Sequence, residues 1–256
     1  MPESDLKLIH DAAITAGEIA MSFYGNQPKQ WDKGGGQGPV CEADLAIDAM
    51  LNERFSQERP DYAILSEETE DDKTRCHADE VFIIDPIDGT RSFLNKHENF
   101  ATSIAIARDG VVTEAVVHLP AKGLIFSARL GAGAWLNGDP IQASKRVEIK
   151  GARMLASGSQ TRNDLWRNGP PPLERHFRSS LAYRLCLVAQ GRFDGMMTLR
   201  PTWEWDVAAG DLICTEAGAD VRTQDGVAPK YNSPSAKMNG MVAGHAPLLD
   251  GLFSYL

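Results

Sequence analysis

The stretch VFIIDPIDGT, residues 81–90, constrains this chain more than any other. Four successive apolar residues read as a short strand covered on both faces. Two aspartates spaced D-x-x-D follow at once, so the strand delivers two negative charges to its end. Asp85 and Asp88 therefore stand where backbone direction is fixed and side chains can converge on a site. Pro86 stiffens the turn, and Gly89 lets the backbone approach a ligand closely. Thr90 opens a short helix with Arg91, Ser92 and Phe93 in its first turn. A helix start offers unpaired N–H groups and a positive dipole end, which suits a phosphate. Two carboxylates beside a phosphate would repel it unless metal ions lie between, and oxygen ligands of this kind suit magnesium.

Taken alone, D-P-x-D-G-T is also compatible with an Asx-turn and a helix cap. Two further acidic clusters change its meaning. Glu67 and Glu68 end the strand before it, in ILSEET, and Asp206 opens a helix in WEWDVAAG. Each is ordinary alone, as a solvated loop or a helix cap. Together they put acidic residues at three element ends, which a binuclear metal site requires. The spacing also separates the chain from the haloacid dehalogenase phosphatases, whose strand runs into D-x-D-G-T. In an extended strand residues i and i+2 share a face and i+3 does not.

The rest of the chain reads as one compact unit or two fused halves, residues 1–145 and 146–256. Residues 4–24 carry an amphipathic helix stopped by Gly25, and 42–58 a second, with Leu45, Ala49 and Phe55 facing inward. The lysine-bearing, Gly-rich segment between them is a flexible linker or a lid. TSIAIA, VVTEAVVHL and LIFSAR form an antiparallel meander. Beyond residue 150 strands and helices alternate: MLAS, then SLAYRLCLVAQG capped by Ser180, DGMMTL, the WEWDVAAGDLICTEAG helix, MNGMVAG, and APLLDGLF. The first half is α+β and the second α/β. A formal net charge of −9 over 256 residues argues against a nucleic-acid polymer or an acidic membrane as partner. Four cysteines without a C-x-x-C pair suggest free thiols in a reducing compartment. MPESDLKLIH has no basic segment followed by an apolar run, and no stretch is long and apolar enough to span a membrane. A cytoplasmic enzyme is expected.

ILSEE, IIDPIDGTRSF and WDVAAGDLICTEAGA occur in that order, accompanied by EADLAID and GAGAWLNGDPI. In these motifs, over most of its length, the chain resembles the inositol monophosphatase superfamily of lithium-sensitive, metal-dependent phosphomonoesterases. The resemblance implies a five-layered αβαβα sandwich, often a homodimer, and two or three magnesium ions per subunit. It assigns Glu67 to the metals and Asp85 to a bridging position. The Ile87 carbonyl becomes a further ligand, and Asp88 and Asp206 hold the second metal. Thr90 and Asp44 match the pair that activates the attacking water. Gly89 and Thr90 would hold phosphate, and Lys33 matches a lysine of a loop near the metals. Cys41 departs from the family pattern, which has a threonine bracing the neighbouring aspartate.

The implied substrate is a small phosphorylated molecule. Inositol-cleaving members carry a glutamate about seven residues before the position of Asp206; here Thr198, Leu199 and Arg200 occupy that region, and Glu204 lies too close to replace it. SSLAYRLCLVAQG and PTWEWDVAAG resemble the 3′(2′),5′-bisphosphate nucleotidase branch. Arg200 is then either a surface residue or a contact to a second phosphate, and Trp203 and Trp205 either core aromatics or a stack for adenine. The alternatives are inositol-1-phosphate hydrolysis and a non-enzymatic role as a regulatory partner of transcription machinery.

Overall fold

The computed structural model describes residues 4–34 and 38–256. The centre of the expected lid, residues 35–37, lies outside that range. The helices are α1 (Asp5–Phe23), α2 (Glu42–Glu58), the short α3 (Thr90–Leu94), α4 (Leu181–Ala189), α5 (Ala208–Glu216) and α6 (Ala246–Phe253). A hairpin of β1 (Gln30–Asp32) and β2 (Pro39–Cys41) replaces the linker reading of the Gly-rich segment.

Two larger sheets follow. The first runs in chain order through β3 (Ala63–Ser66), β4 (Glu80–Asp88), β5 (Ala101–Arg108), β6 (Val111–Leu119), β7 (Leu124–Arg129), β8 (Gly133–Leu136) and β9 (Asp139–Pro140). It is antiparallel except at its edge, where β3 pairs with β4 in parallel. The second contains β10 (Arg153–Leu155), β11 (Glu174–His176), β12 (Gly195–Trp203), β13 (Asp220–Arg222) and β14 (Lys237–Gly244), ordered β11-β10-β12-β14-β13. It is mixed: β10 is parallel to both neighbours, whereas β14 is antiparallel to both of its own.

Three apolar cores join these elements into five layers. Leu8, Ile9, Ile47, Leu51 and Phe55 from α1 and α2 cover one face of the first sheet. Helices α4 and α5 fill the space between the sheets, and Leu248, Leu249 and Leu252 of α6 close the outer face of the second. The order is α1/α2, sheet, α4/α5, sheet, α6. This explains the unbroken apolar run in β4. Phe82 and Ile84 enter the α1/α2 core, while Val81 and Ile83 enter the α4/α5 core. Phe82 stacks on Phe55 with ring centroids 4.2 Å apart; truncating either ring would cost about 3–5 kcal/mol.

The inward face of α2 differs from expectation. Leu45 and Ala49 are exposed, and Ala43, Asp44, Ile47, Asp48, Leu51 and Phe55 point in. Two carboxylates sit on that face because they are hydrogen-bonded there. Asp44 accepts from Cys41 and Thr90, and Asp48 accepts from Ser66 and from Thr69 Oγ1 at 2.9 Å.

Candidate active site

A departure from regular strand geometry builds the centre of the site. Strand β4 continues through Asp88, and its pairing with β5 steps from Asp85↔Ser103 to Asp88↔Ala101. Three residues on β4 thus match two on β5, which is a β-bulge at Pro86–Ile87. The extra residue turns an i, i+3 pair onto one face, so Asp85 and Asp88 converge despite a spacing that would separate them in a regular strand. Thr102 Oγ1 donates to the Pro86 carbonyl at 2.9 Å and holds the bulge. After it Gly89 adopts φ +101°, where a Cβ would lie 3.0 Å from the Asn99 carbonyl oxygen. Only glycine fits both the dihedral and the space.

Glu67 arrives from the neighbouring strand. Its N–H donates to the Ile84 carbonyl at 3.2 Å, one step beyond the Ser66↔Ile84 pair, which sets Glu67 beside Asp85. Asp206 comes from the other half of the molecule. It lies in a turn two residues ahead of α5 rather than opening the helix. Carboxylate oxygens of Asp85, Asp88 and Asp206 all lie within 4.8 Å of one another.

Burial, joined by the charges of Glu67, Asp88 and Asp206, raises the Asp85 pKa well above the usual carboxylate range. Asp206 is raised well above it for the same reasons. Burial pushes Asp88 up to about 6, against donation from Ser180 Oγ at 2.6 Å and the Ala182 N–H at 2.7 Å. Asp85 Oδ1 is buried and meets no hydrogen-bond partner among the described residues. An orphaned carboxylate oxygen beside two further carboxylates fits a hard divalent cation bound through oxygen.

Beside this cluster stands a hydrogen-bonded pair. Thr90 Oγ1 lies 3.1 Å from Asp44 Oδ1 and 3.1 Å from the Ile87 carbonyl oxygen. Asp44 Oδ2 accepts from the Cys41 N–H at 2.9 Å and the Cys41 thiol at 2.8 Å. Cys41 therefore supplies the bracing donor expected of a threonine. Its thiol stays protonated, since burial and the neighbouring Asp44 push its pKa up to about 12. Burial also raises Asp44.

Lys33 reaches the site from the end of β1, with Nζ 2.8 Å from Glu67 Oε1 and 2.7 Å from Glu68 Oε1. Burial disfavours its charge, but the two glutamates outweigh that and raise its pKa.

Asp85, Asp88, Asp206 and Glu67 line a cleft of about 470 Å³, together with Ile87, Gly89 and Thr90. Arg200 is on its wall, brought there by a second bulge in β12 between Thr198 and Pro201. The Leu199 N–H in that bulge donates to Gln160 Oε1 at 2.7 Å. Arg184 also lines the cleft, and sequence reading did not single it out. It is the one charged residue of α4, a helix buried on all sides. Its guanidinium donates to the carbonyls of Arg178 at 2.5 Å and Ser179 at 3.4 Å. Among the described residues neither Arg184 nor Arg200 has an ion-pair partner. Burial lowers Arg184 only to about 10, so it remains a cation at neutral pH. A cavity of about 520 Å³ elsewhere pairs Asp5 with Arg59 and Arg108 and lacks the carboxylate cluster.

Trp203 and Trp205 are not in this cleft. They stack on each other at 4.5 Å beside a smaller pocket behind Glu67, and Lys237 Nζ sits 3.8 Å over the Trp203 ring. Glu204 faces away, accepting from the N–H groups of Asn232 at 2.7 Å and Ser233 at 3.0 Å.

The sequence model of the inositol monophosphatase family matches residues 1–251. The chain belongs to that family. It is accordingly a phosphatase, of a family that depends on metal ions, generally magnesium. An inositol-1-monophosphatase of Rhizobium meliloti is 33% identical over 83% of each chain. The 3′(2′),5′-bisphosphate nucleotidase CysQ of Salmonella typhimurium is 29% identical over 91% of this chain and 96% of its own. Among solved structures, Thermotoga maritima IMPase superposes with a TM-score of 0.82 at 26% identity, covering 97% of this chain and 95% of that one. No helix among the described residues is long and apolar enough to cross a membrane.

Proposed function

We propose that the protein is a magnesium-dependent 3′(2′),5′-bisphosphate nucleotidase, removing one phosphate from a small molecule that carries two. The observation that supports this reading is the pair Arg184 and Arg200. Two guanidiniums without carboxylate partners among the described residues face a cleft whose other wall is acidic. Asp88 and Asp206 act on Arg184, and Arg200 acts on Asp206, only from beyond ion-pair distance; a second phosphate would give both guanidiniums a counter-charge in direct contact. The position where an inositol-binding glutamate is expected holds Leu199, Thr198 and Arg200, which present no carboxylate.

Glu67, Asp85 and the Ile87 carbonyl would hold one cation, and Asp85, Asp88 and Asp206 another, within a complement of two or three. Magnesium there supplies Lewis-acid polarisation of the phosphoryl group and of water. The protein's own groups do the rest. Gly89 and Thr90 hold the phosphate at the start of α3. The Thr90 hydroxyl orients the attacking water, and Asp44, aligned by Cys41, receives its proton through Thr90. Lys33 keeps Glu67 and Glu68 in place by neutralising them.

Phosphate release with magnesium, comparing 3′-phosphoadenosine 5′-phosphate with inositol-1-phosphate by kcat/KM, tests the reading. A preference for the nucleotide of at least tenfold, lost in R200A, is expected. A preference for inositol-1-phosphate, the activity named for the Rhizobium relative, overturns it.

A further inference from the structure

One aromatic side chain in the cleft has no structural partner on its open side. Phe177 lines the cleft and is 49% exposed. Its inner face is covered by the Arg184 guanidinium, 4.7 Å from the ring centroid. Arg184 is held by backbone carbonyls alone, and its charge acts on Asp88 and Asp206. The ring, the guanidinium and the acidic cluster line the same cleft. The two tryptophans, by contrast, are spent on packing: Trp203 has Trp205 on one face and Lys237 on the other.

We propose that Phe177 is a specificity-determining platform on which an aromatic base of the substrate stacks, so that the cleft takes a nucleoside bisphosphate rather than a sugar bisphosphate. The inference rests on the nucleotidase reading and deepens it by naming the residue that meets the base. Three regions of such a molecule find three surfaces. The scissile phosphate meets the acidic cluster through its cations, the second phosphate meets Arg184 and Arg200, and the base meets Phe177. Stacking of a base on an aromatic side chain is sequence-tolerant, because every base presents a π-face. The platform therefore selects for a base without selecting which one.

The test compares adenosine 3′,5′-bisphosphate with propane-1,3-diol bisphosphate, which keeps two phosphates three carbons apart and lacks the base. Wild-type protein is compared with F177L, which keeps apolar cover over Arg184, and with F177Y, which keeps the ring. Expected for F177L is a rise in KM for the nucleotide of about tenfold. KM for the diol bisphosphate stays within twofold, and F177Y behaves as wild type. Equal losses on both substrates in F177L would show that Phe177 acts only by packing Arg184, and would overturn the platform. Wild-type indifference to the base would overturn the nucleotidase reading and the platform with it. A wild-type preference for inositol-1-phosphate over both compounds overturns that reading and the platform with it.

Discussion

Replacing Asp44 with asparagine tests the proton path most directly. Asp44 is fully buried, and both its oxygens are committed: Oδ2 to the Cys41 N–H and thiol, Oδ1 to Thr90. In D44N the amide oxygen stays with the Cys41 N–H, because the NH₂ group placed there would set two donors together. The NH₂ then faces Thr90, which must accept from it and turn its only proton to the Ile87 carbonyl, also 3.1 Å away. The lone pair that would take up the water's proton is occupied, and no carboxylate remains to receive it. Loss of general-base assistance lowers kcat by about 10²–10⁴-fold. KM changes little, because Asp44 is not among the residues that line the cleft. Stability changes by about 2 kcal/mol or less, since weakened hydrogen bonds are offset by removal of a carboxylate whose charge burial disfavours. For a chain of this size that is at most about 4–8 °C in Tm. Steady-state phosphate release and a thermal melt on the same preparation read both quantities. A folded D44N retaining more than a tenth of wild-type kcat would refute the relay.

Two further outcomes follow from the buried acids. Magnesium at a hundred times its Kd should raise the wild-type melting temperature by about 5–10 °C. D85N, lacking the carboxylate proposed to serve both cation positions, should be inactive and show a rise below 2 °C; an undiminished rise would remove Asp85 from the proposed ligand set. Burial raises the Asp211 pKa to about 6, although Tyr231 donates to it at 2.7 Å. Because the folded value exceeds the unfolded one, the folded state holds this proton more tightly. Its stabilising contribution is full below about pH 4 and lost as pH rises through 6. D211N should therefore gain on wild type between pH 4.5 and 7.5 by at most about 3 kcal/mol, read by urea melts at both pH values; a gap that shrinks with rising pH contradicts the assignment.

Much of this molecule was legible in its sequence wherever pattern is local. Strands β6 and β7 match VVTEAVVHL and LIFSAR residue for residue, because turn residues bound each of them. The acidic residues that the fold gathers at one cleft, Glu67, Asp85, Asp88 and Asp206, stand out in the sequence by type and order. What failed depended on a partner strand or a distant side chain. The bulges in β4 and β12 are set by register against β5 and β14, which no window of sequence contains. Periodicity places Leu45 inward because it counts apolar residues, whereas hydrogen bonds to Thr90, Ser66 and Thr69 turn Asp44 and Asp48 in instead. Arg184 left a faint signal, one cation in the apolar run LAYRLCLVA, yet only the fold shows that it opens onto the cleft.

The bulge at Pro86–Ile87 also governs which accidents of inheritance this segment survives. Ile87 presents its carbonyl to the Thr90 hydroxyl and its side chain to the core, so other apolar residues of similar volume there should leave the site intact. Losing or gaining a single codon between Asp85 and Asp88 is another matter. It would rotate Asp88 to the opposite side of the sheet, among the apolar side chains, and carry the Gly89 turn with it. The segment is free in its spelling and fixed in its length, so its history should record substitutions and no insertions or deletions.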